Sequence, residues 1–441
     1  MALNNGGLDT PGARPRVVVI GGGFAGVATV RALRKSPVEV TLVDRHIYNM
    51  FQPLLYQVAT AGLNPGDVTY FLRALRYRQG NVRYRQGLLA GIDAEQGRVR
   101  LRDGSSLPFD YLVLANGVTT NYFGTPGAKE HAKAVYTRSQ ALRIRDAVFR
   151  QLEEAASRGD RSEGLEVVIV GGGATGVEMA GALAELRNQG LYFAYPEISH
   201  DHMQITLVQR SSELLKPFKP HLRTYAKKAL AKRGVTLRFG AGVKEVHARE
   251  VELTDGESIR ADVVIWAAGV SAHEEVAQWG VPQGEGGRIV VGPDMRVKGM
   301  SNVYAVGDIA VNDDDLPQLA QPAMQAGRFV GKNIARQVAG RPTRGAFSYT
   351  DKGTMATIGR RSAVAQIHGL PAMTGPLAWY AWAVVHVFQL LGGRNRLATF
   401  ANLITRYGQF YRIHPNPIIG EIRPARVYGV EPGAPRTDTS D

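Results

Sequence analysis

One local pattern occurs twice in this chain: a β-branched run, three glycines spaced Gly-x-Gly-x-x-Gly, then a helix-forming stretch. In the first copy residues 16–20 (Arg-Val-Val-Val-Ile) lead into Gly21, Gly23 and Gly26, with Phe24 and Ala25 inside the turn. The spacing has a steric reason. The first glycine allows the tight turn, the second lets backbone approach a pyrophosphate, and the third lets the helix pack closely on the strand. The helix start then offers free N–H groups to phosphate oxygens. A second strand, residues 38–43, ends at Asp44, 18 residues after Gly26, where a carboxylate can hydrogen-bond ribose hydroxyls.

The second copy starts at residues 166–170 and runs into Gly171, Gly173 and Gly176, with Thr175 in the turn and Glu178 at the start of the following helix. Its next strand, residues 204–208, ends at Gln209 and Arg210. Two complete units about 150 residues apart imply two dinucleotides on one chain. This predicts an α/β fold with two Rossmann-like dinucleotide-binding domains, one for a flavin and one for a nicotinamide. Gln209 stands where the first copy has Asp44. It can still hydrogen-bond a hydroxyl but carries no charge to repel a 2′-phosphate, and Arg210 adds attraction if it turns inward. The expectation is a relaxed preference, with NADPH accepted beside NADH; the alternative is that Arg210 points to solvent and NADH still dominates.

Residues 302–308 form a short strand ending in Ala305-Val-Gly-Asp308. Here the chain resembles the glutathione-reductase-like flavoproteins with two dinucleotide domains, whose late Gly-Asp turn binds the flavin ribityl chain. The resemblance implies that contact for Asp308. In the same superfamily each nucleotide domain closes on a strand ending in small residues, as Ala115-Asn-Gly117 and Ala267-Ala-Gly269 do here.

The chain has no cysteine, so no disulfide, no redox dithiol and no thiolate-held metal can form, and no metal site is expected. Electrons must leave to a quinone, a metalloprotein, oxygen or a small organic acceptor. The balance of 53 basic against 39 acidic residues gives a net charge of +14. Without a zinc-finger or RRM motif or a dense basic block, nucleic acid is the weakest explanation of that charge; anionic cofactors or an anionic membrane surface fit better. The first 15 residues contain no apolar core, so no secretory signal is expected and the cytoplasmic side is the expected location.

The acceptor side rests on four further stretches. Residues 44–59 (Asp-Arg-His-Ile-Tyr-Asn-Met-Phe-Gln-Pro-Leu-Leu-Tyr-Gln-Val-Ala), 170–181 (Val-Gly-Gly-Gly-Ala-Thr-Gly-Val-Glu-Met-Ala-Gly), 320–327 (Ala-Gln-Pro-Ala-Met-Gln-Ala-Gly) and 349–359 (Tyr-Thr-Asp-Lys-Gly-Thr-Met-Ala-Thr-Ile-Gly) resemble type II NADH:quinone oxidoreductases. The likeness runs in order from about residue 16 to 415. It implies a single-subunit, non-proton-pumping enzyme with noncovalent FAD. Hydride would pass from NADH to the flavin, and two electrons then to a membrane quinone, menaquinone or ubiquinone. By the same resemblance Arg45 and Gln321 join the FAD site. Gln321, Gln325, Lys352 and Met355 would line the quinone tunnel, and Glu178, counted with the NAD(P)H site, would sit beside the flavin ring, where it could position the nicotinamide or take part in proton traffic to the reduced quinone. Glu178, Gln321, Gln325 and Lys352 are the catalytic candidates. A first-turn carboxylate that merely favours the helix dipole is the plain alternative for Glu178, and a surface lysine the plain alternative for Lys352.

Residues 376–391 are strongly apolar but shorter than the ~20 residues needed to span a bilayer. Trp379, Tyr380 and Trp382 read as interfacial aromatics. Beyond Gly392, Leu397, Phe400, Ile404, Tyr407 and Tyr411 recur at helical spacing, with Arg394, Arg396, Arg406 and Arg412 around them. This face fits an anionic membrane surface, or a homodimer, or both, and implies a peripheral protein on the cytoplasmic face of the cell membrane. The expected organisation is a tail (1–15), an FAD domain (16–125 and 291–345), a linker (126–160), an NAD(P)H domain (161–290), a quinone and membrane module (346–425) and a second tail (426–441). Residues 187–203 lengthen one connection and suggest no function. Two rivals remain: a soluble reductase of a small electron-carrier protein, and a flavin-based redox sensor.

Overall fold

A computed structural model describes residues 14–158, 164–191, 194–196, 198, 203–314, 316–407 and 417–420. Both expected tails fall almost wholly outside these residues, as do Tyr411, Arg412 and the side chains of Arg406 and Tyr407. The chain divides into two compact units. One is built from the chain up to Asn49, Tyr70–Thr119 and Val270–Lys352, the other from Met50–Thr69, Thr120–Gly269 and the chain from Gly353 onward.

In the first unit five parallel strands lie in the order Val303–Ala305, Tyr111–Leu114, Arg16–Ile20, Glu39–Asp44, Val82–Gln86. Arg16–Ile20 is central because Val17, Val18 and Val19 bury both faces, as a strand covered by helices on either side must. The helix after the first glycine loop, Phe24–Ala32, is pressed onto Ala320–Val338. Gly327 makes that approach possible, since a Cβ there would come within 2.2 Å of the Ala25 carbonyl oxygen.

The second unit repeats the plan. Its parallel order is Ala132–Ala134, Val263–Trp266, Leu165–Val170, Met203–Gln209, Val235–Phe239, again with the glycine-loop strand in the middle. The stretch 126–160, expected as a linker helical between Ser139 and Ala156, supplies the helix Arg138–Arg158 and also the edge strand Ala132–Ala134. That helix buries Ala141, Ile144, Val148 and Leu152, an apolar stripe at helical spacing that needs a sheet to cover it. Residues 270–290 group with the first unit and 50–69 with the second, where the helix Leu55–Ala59 packs on Arg138–Arg158 and on Ala174–Glu185. In the 187–203 stretch the buried Arg187 guanidinium donates to the Met203 and Gly234 carbonyls, which closes the helix onto the sheet.

The second unit also carries an antiparallel sheet, Gly353–Thr357, Ala363–Ile367 and Met373–Thr374, and two 15-residue helices, Gly375–Gln389 and Gly393–Tyr407. Ala363, Ala365, Ala378, Trp379 and Leu403 form their shared core. Trp379 and Trp382 are therefore not interfacial: they are 6% and 0% exposed, Trp379 packed where small residues of the sheet leave room for its ring and Trp382 stacked on His386 beside Tyr56. Among the described residues no helix is long and apolar enough to cross a membrane.

Candidate functional site

The first glycine loop is shaped by close contacts. Gly21 has φ +102°, and a Cβ there would meet the Ala115 carbonyl oxygen at 2.3 Å. Gly26 is equally closed, with the Gly21 carbonyl oxygen 1.8 Å from where its Cβ would lie. Gly23 differs: nothing lies within 4 Å of its Cβ position. The helix beginning there has no side-chain cap, so its first N–H groups face that open side. Asp44 braces the loop. Its carboxylate accepts from Gly22 N–H at 2.6 Å and from His46 N–H at 2.7 Å, while burial raises its pKa against those two bonds. Asn49, within the 44–59 stretch but given no role from sequence, donates to the Gly22 carbonyl from a buried position.

The Gly-Asp turn reaches the same place. Gly307 lies against Ala25 and Ala323, and a pocket beside it is lined by Asp308, Asn312, Gln318 and Pro322 at the start of the helix Ala320–Val338. Both polar atoms of the Asn116 side chain, which follows Ala115, are buried and have no protein partner, as does Asn312 Oδ1 in that pocket. Filled at Gly21 and Gly26, open at Gly23, and edged by unsatisfied amides, the site fits a dinucleotide. Arg45 is exposed beside Asp44.

The second loop reproduces this geometry. Gly171 has φ +111° and lies against the backbone of Ala267 and Ala268, and Gly176 meets the Gly171 carbonyl as Gly26 meets Gly21. Gly173 and Thr175 are exposed at an uncapped helix start. In place of the acid, Gln209 Oε1 accepts from Gly172 N–H at 2.7 Å, and its Nε2 donates to Ser211 Oγ at 2.6 Å. Arg210 is exposed, its stem 3.7 Å from the Cβ position of Gly242. Phe123, missed by the sequence reading, lies on Gly269 at the carboxyl end of this sheet, 62% exposed and at φ +53°. A non-glycine residue in the left-handed region is the kind of outlier only a structure reveals.

Glu178 is fully buried two residues beyond the second loop. Its Oε1 accepts from the Thr357 N–H at 3.3 Å, and burial pushes its pKa up to about 8 against that bond. It is not a solvated first-turn carboxylate. Met355, on the same strand as Thr357, packs on the core beneath the C-terminal helices. In the first unit Gln325 donates to the Thr350 carbonyl at 3.0 Å and accepts from Thr350 N–H at 3.1 Å. Its amide thus pins the stretch leading to the exposed Lys352; Gln321 stays half-buried one turn earlier.

The two C-terminal helices leave one apolar row exposed each: Leu377, Tyr380, Val384 and Phe388 on the first, Leu397, Phe400 and Ile404 on the second. On its opposite face the second helix is fastened by polar residues, Asn395 donating to the Thr69 carbonyl and Asn402 to Asp67 Oδ2.

Residues 15–327 match the model of the pyridine nucleotide-disulphide oxidoreductase family, and residues 352–407 match the NDH2 C-terminal domain. Type II NADH:quinone oxidoreductase NdhA of Mycobacterium tuberculosis is 36% identical over 416 residues, covering 90% of this chain and 88% of that protein. The chain belongs to the type II NADH:quinone oxidoreductase family. The enzyme of that name from Staphylococcus aureus is 30% identical over 376 residues, 81% of this chain and 91% of its own. In fold, NDH2 of Plasmodium falciparum, solved with NADH, superimposes with a TM-score of 0.82 at 19% identity, covering 91% of this chain and 99% of that one. The family is FAD-dependent, although this member lacks every cysteine that disulphide chemistry would require.

Proposed function

We propose that this protein oxidises NADH and reduces a membrane quinone, with FAD held noncovalently at the Gly21 loop and the nicotinamide nucleotide at the Gly171 loop. The observation that carries this reading is the repeated brace, Gly22 on Asp44 and Gly172 on Gln209, one in each compact unit. Bound there, FAD would supply the redox chemistry that no side chain of this protein can, two-electron exchange between nicotinamide and quinone. The overall balance is NADH + H⁺ + quinone → NAD⁺ + quinol. The chain's own residues bind, orient and supply protons. Gly21, Gly23, Phe24, Ala25, Gly26, Asp44 and Arg45 hold the adenosine and pyrophosphate end of FAD, and Ala115, Gly117, Asp308 and Gln321 its flavin end. Gly171, Gly173, Thr175, Gly176, Gln209, Arg210 and Gly269 hold NADH, and NADPH as a second donor.

Glu178 is the proton carrier. A buried carboxyl titrating near 8 holds a proton at neutral pH and can release it to a reduced acceptor. Lys352, Gln321 and Met355 belong to the acceptor side, and Gln325 acts there by holding Thr350. The exposed apolar rows seat the protein on the cytoplasmic face of an anionic membrane, with Arg394 and Arg396 exposed beside them. Cutting the chain at Pro376 would remove Trp379 and Trp382 from the core, so the membrane role is tested with Leu377→Glu and Phe388→Glu. Both should shift the protein to the soluble fraction and lower turnover on long-tailed quinones, with short-tailed quinones unaffected. A drop in oligomer size with membrane binding intact would assign the rows to a dimer instead.

The decisive experiment is anaerobic stopped flow: reduction of the yellow protein with NADH or NADPH, then mixing with menaquinone and ubiquinone analogues. Rapid bleaching and rapid return of colour with a quinone are expected. A flavin that no quinone reoxidises would sink the reading.

A further inference from the structure

The helix Leu55–Ala59 belongs to neither glycine loop, yet its two polar residues are almost completely buried, Tyr56 at 5% and Gln57 at 3% exposed. They begin a hydrogen-bonded chain that ends at Glu178. Gln57 Nε2 donates to the Tyr56 hydroxyl at 2.9 Å, and that hydroxyl shares a 2.8 Å hydrogen bond with Thr357 Oγ1. Thr357 is the last residue of the strand Gly353–Thr357, and its backbone N–H donates to Glu178. Gln57 Oε1, on the same amide, is buried without a protein partner. So is the indole N–H of Trp382, whose ring centre lies 6.4 Å from that of Tyr56. Polar groups are not left in such a core cheaply, because each unmade hydrogen bond costs stability that an apolar side chain would keep. A Phe-Leu pair would pack there without that cost.

We infer that Tyr56 and Gln57 are positioning residues for Glu178: through Thr357 they hold in place the N–H that donates to its carboxylate. The inference rests on the reading of Glu178 as the proton carrier. An N–H donated to a carboxylate favours the charged form and eases proton release. Burial and this N–H are the influences on Glu178; no charged side chain of Leu55–Ala59, Gly353–Thr357 or the packed helix Pro220–Lys232 adds to them. Without the phenol hydroxyl, Thr357 Oγ1 loses its buried partner and the strand end is free to drift. Glu178 then keeps its proton to higher pH.

The test is the pH profile of flavin reoxidation by a short-tailed quinone, after reduction with NADH. Tyr56→Phe removes one buried oxygen and should move the midpoint upward by roughly half a pH unit or more. Thr357→Val should shift it the same way, so the idea survives if Tyr56→Phe fails to fold. Thr357→Ser, which keeps the hydroxyl, should restore the parent profile, and Gln57→Leu should give a smaller upward shift. In the double variant Tyr56→Phe/Glu178→Gln, the profile should match that of Glu178→Gln alone. If Glu178→Gln flattens the profile while Tyr56→Phe and Thr357→Val leave it unmoved, the positioning role is wrong and the proton carrier stands. If Glu178→Gln keeps the parent profile, the proton carrier and this inference fall together.

Discussion

The two glycine loops make the same shape with different chemistry at one position. In each, the N–H of the glycine between the first two motif glycines, Gly22 or Gly172, is held by the side chain at the end of the next strand, at 2.6 Å by Asp44 and 2.7 Å by Gln209. In each, a leucine closes the loop from outside: Leu72 is 2.5 Å and Leu214 2.6 Å from the Cβ position of that glycine. An arginine follows the bracing residue in both, Arg45 and Arg210. The backbone therefore asks only for an acceptor at that point. Whether it carries charge is left to the nucleotide, and a neutral amide is what a loop tolerant of a 2′-phosphate needs. A second contrast lies two residues past the last glycine, where the first helix has Ala28 and the second has buried Glu178.

The largest effects should come from breaking each loop in the same way. Gly26→Ala and Gly176→Ala both drive a methyl into a carbonyl oxygen 1.8 Å away. Gly26→Ala should yield protein without yellow absorbance. Gly176→Ala should keep the flavin and lose reduction by NADH, by more than about a hundredfold in kcat/KM, some 3 kcal/mol. Flavin spectra and stopped-flow bleaching separate the two outcomes, and loss of flavin from both would show that the loops are not independent. Next in size is Gln209→Glu, which gives the second loop the charge of the first. The ratio of kcat/KM for NADH over NADPH should rise about tenfold or more from repulsion of the 2′-phosphate. An unchanged ratio would mean that the amide does not face the ribose.

Both loops were legible because Gly21, Gly26, Gly171 and Gly176 are demanded by backbone contact, and such demands appear as spacing. The Gly-Asp turn was legible only by likeness, since a three-residue strand has no periodicity of its own. The C-terminal helices were readable as apolar, but not which side faced out. Trp379, Tyr380 and Trp382 lie within one turn, and only distant residues send the tryptophans inward, Trp379 onto Ala363 and Ala365 of the sheet and Trp382 beside Tyr56. Gln57, Tyr56 and Thr357 lie in two of the stretches that resemble the family, but their hydrogen bonds span some 300 residues of sequence, and nothing local shows that the two stretches meet. The role of Gln325 was obscured for a related reason: a motif shows that an amide is present, not that both its ends are already bonded to Thr350.

The contrast between Ala28 and Glu178 predicts a pH-dependent stability carried by one side chain. In the folded protein Glu178 holds its proton up to about 8, whereas the unfolded chain loses it near the ordinary value of 4.5. Between those limits the folded state binds more protons, so stability falls as pH rises. Glu178→Gln removes that fall. Its melting temperature should gain on the parent as pH goes from about 5 to about 8, and the two curves should run parallel below the ordinary carboxylate range. Parallel curves over the whole span would mean that Glu178 titrates normally, and the second helix would then differ from the first only in size.

The smallest effect tests whether the paired arginines do different work. Arg210 is exposed, with only its stem near Gly242, so its charge acts through solvent and is screened. Arg210→Ala should cost about two- to threefold in kcat/KM for NADPH at low ionic strength, nothing for NADH, and the difference should fade by about 0.5 M salt. Arg45→Ala should leave donor preference untouched, because its charge acts on Asp44 of the first loop, whose ionised form it favours. A donor effect from Arg45, or a salt-resistant one from Arg210, would contradict the assignment of one nucleotide to each loop. It would do so without disturbing a single buried contact, which makes this weak substitution the cleanest comparison of the two.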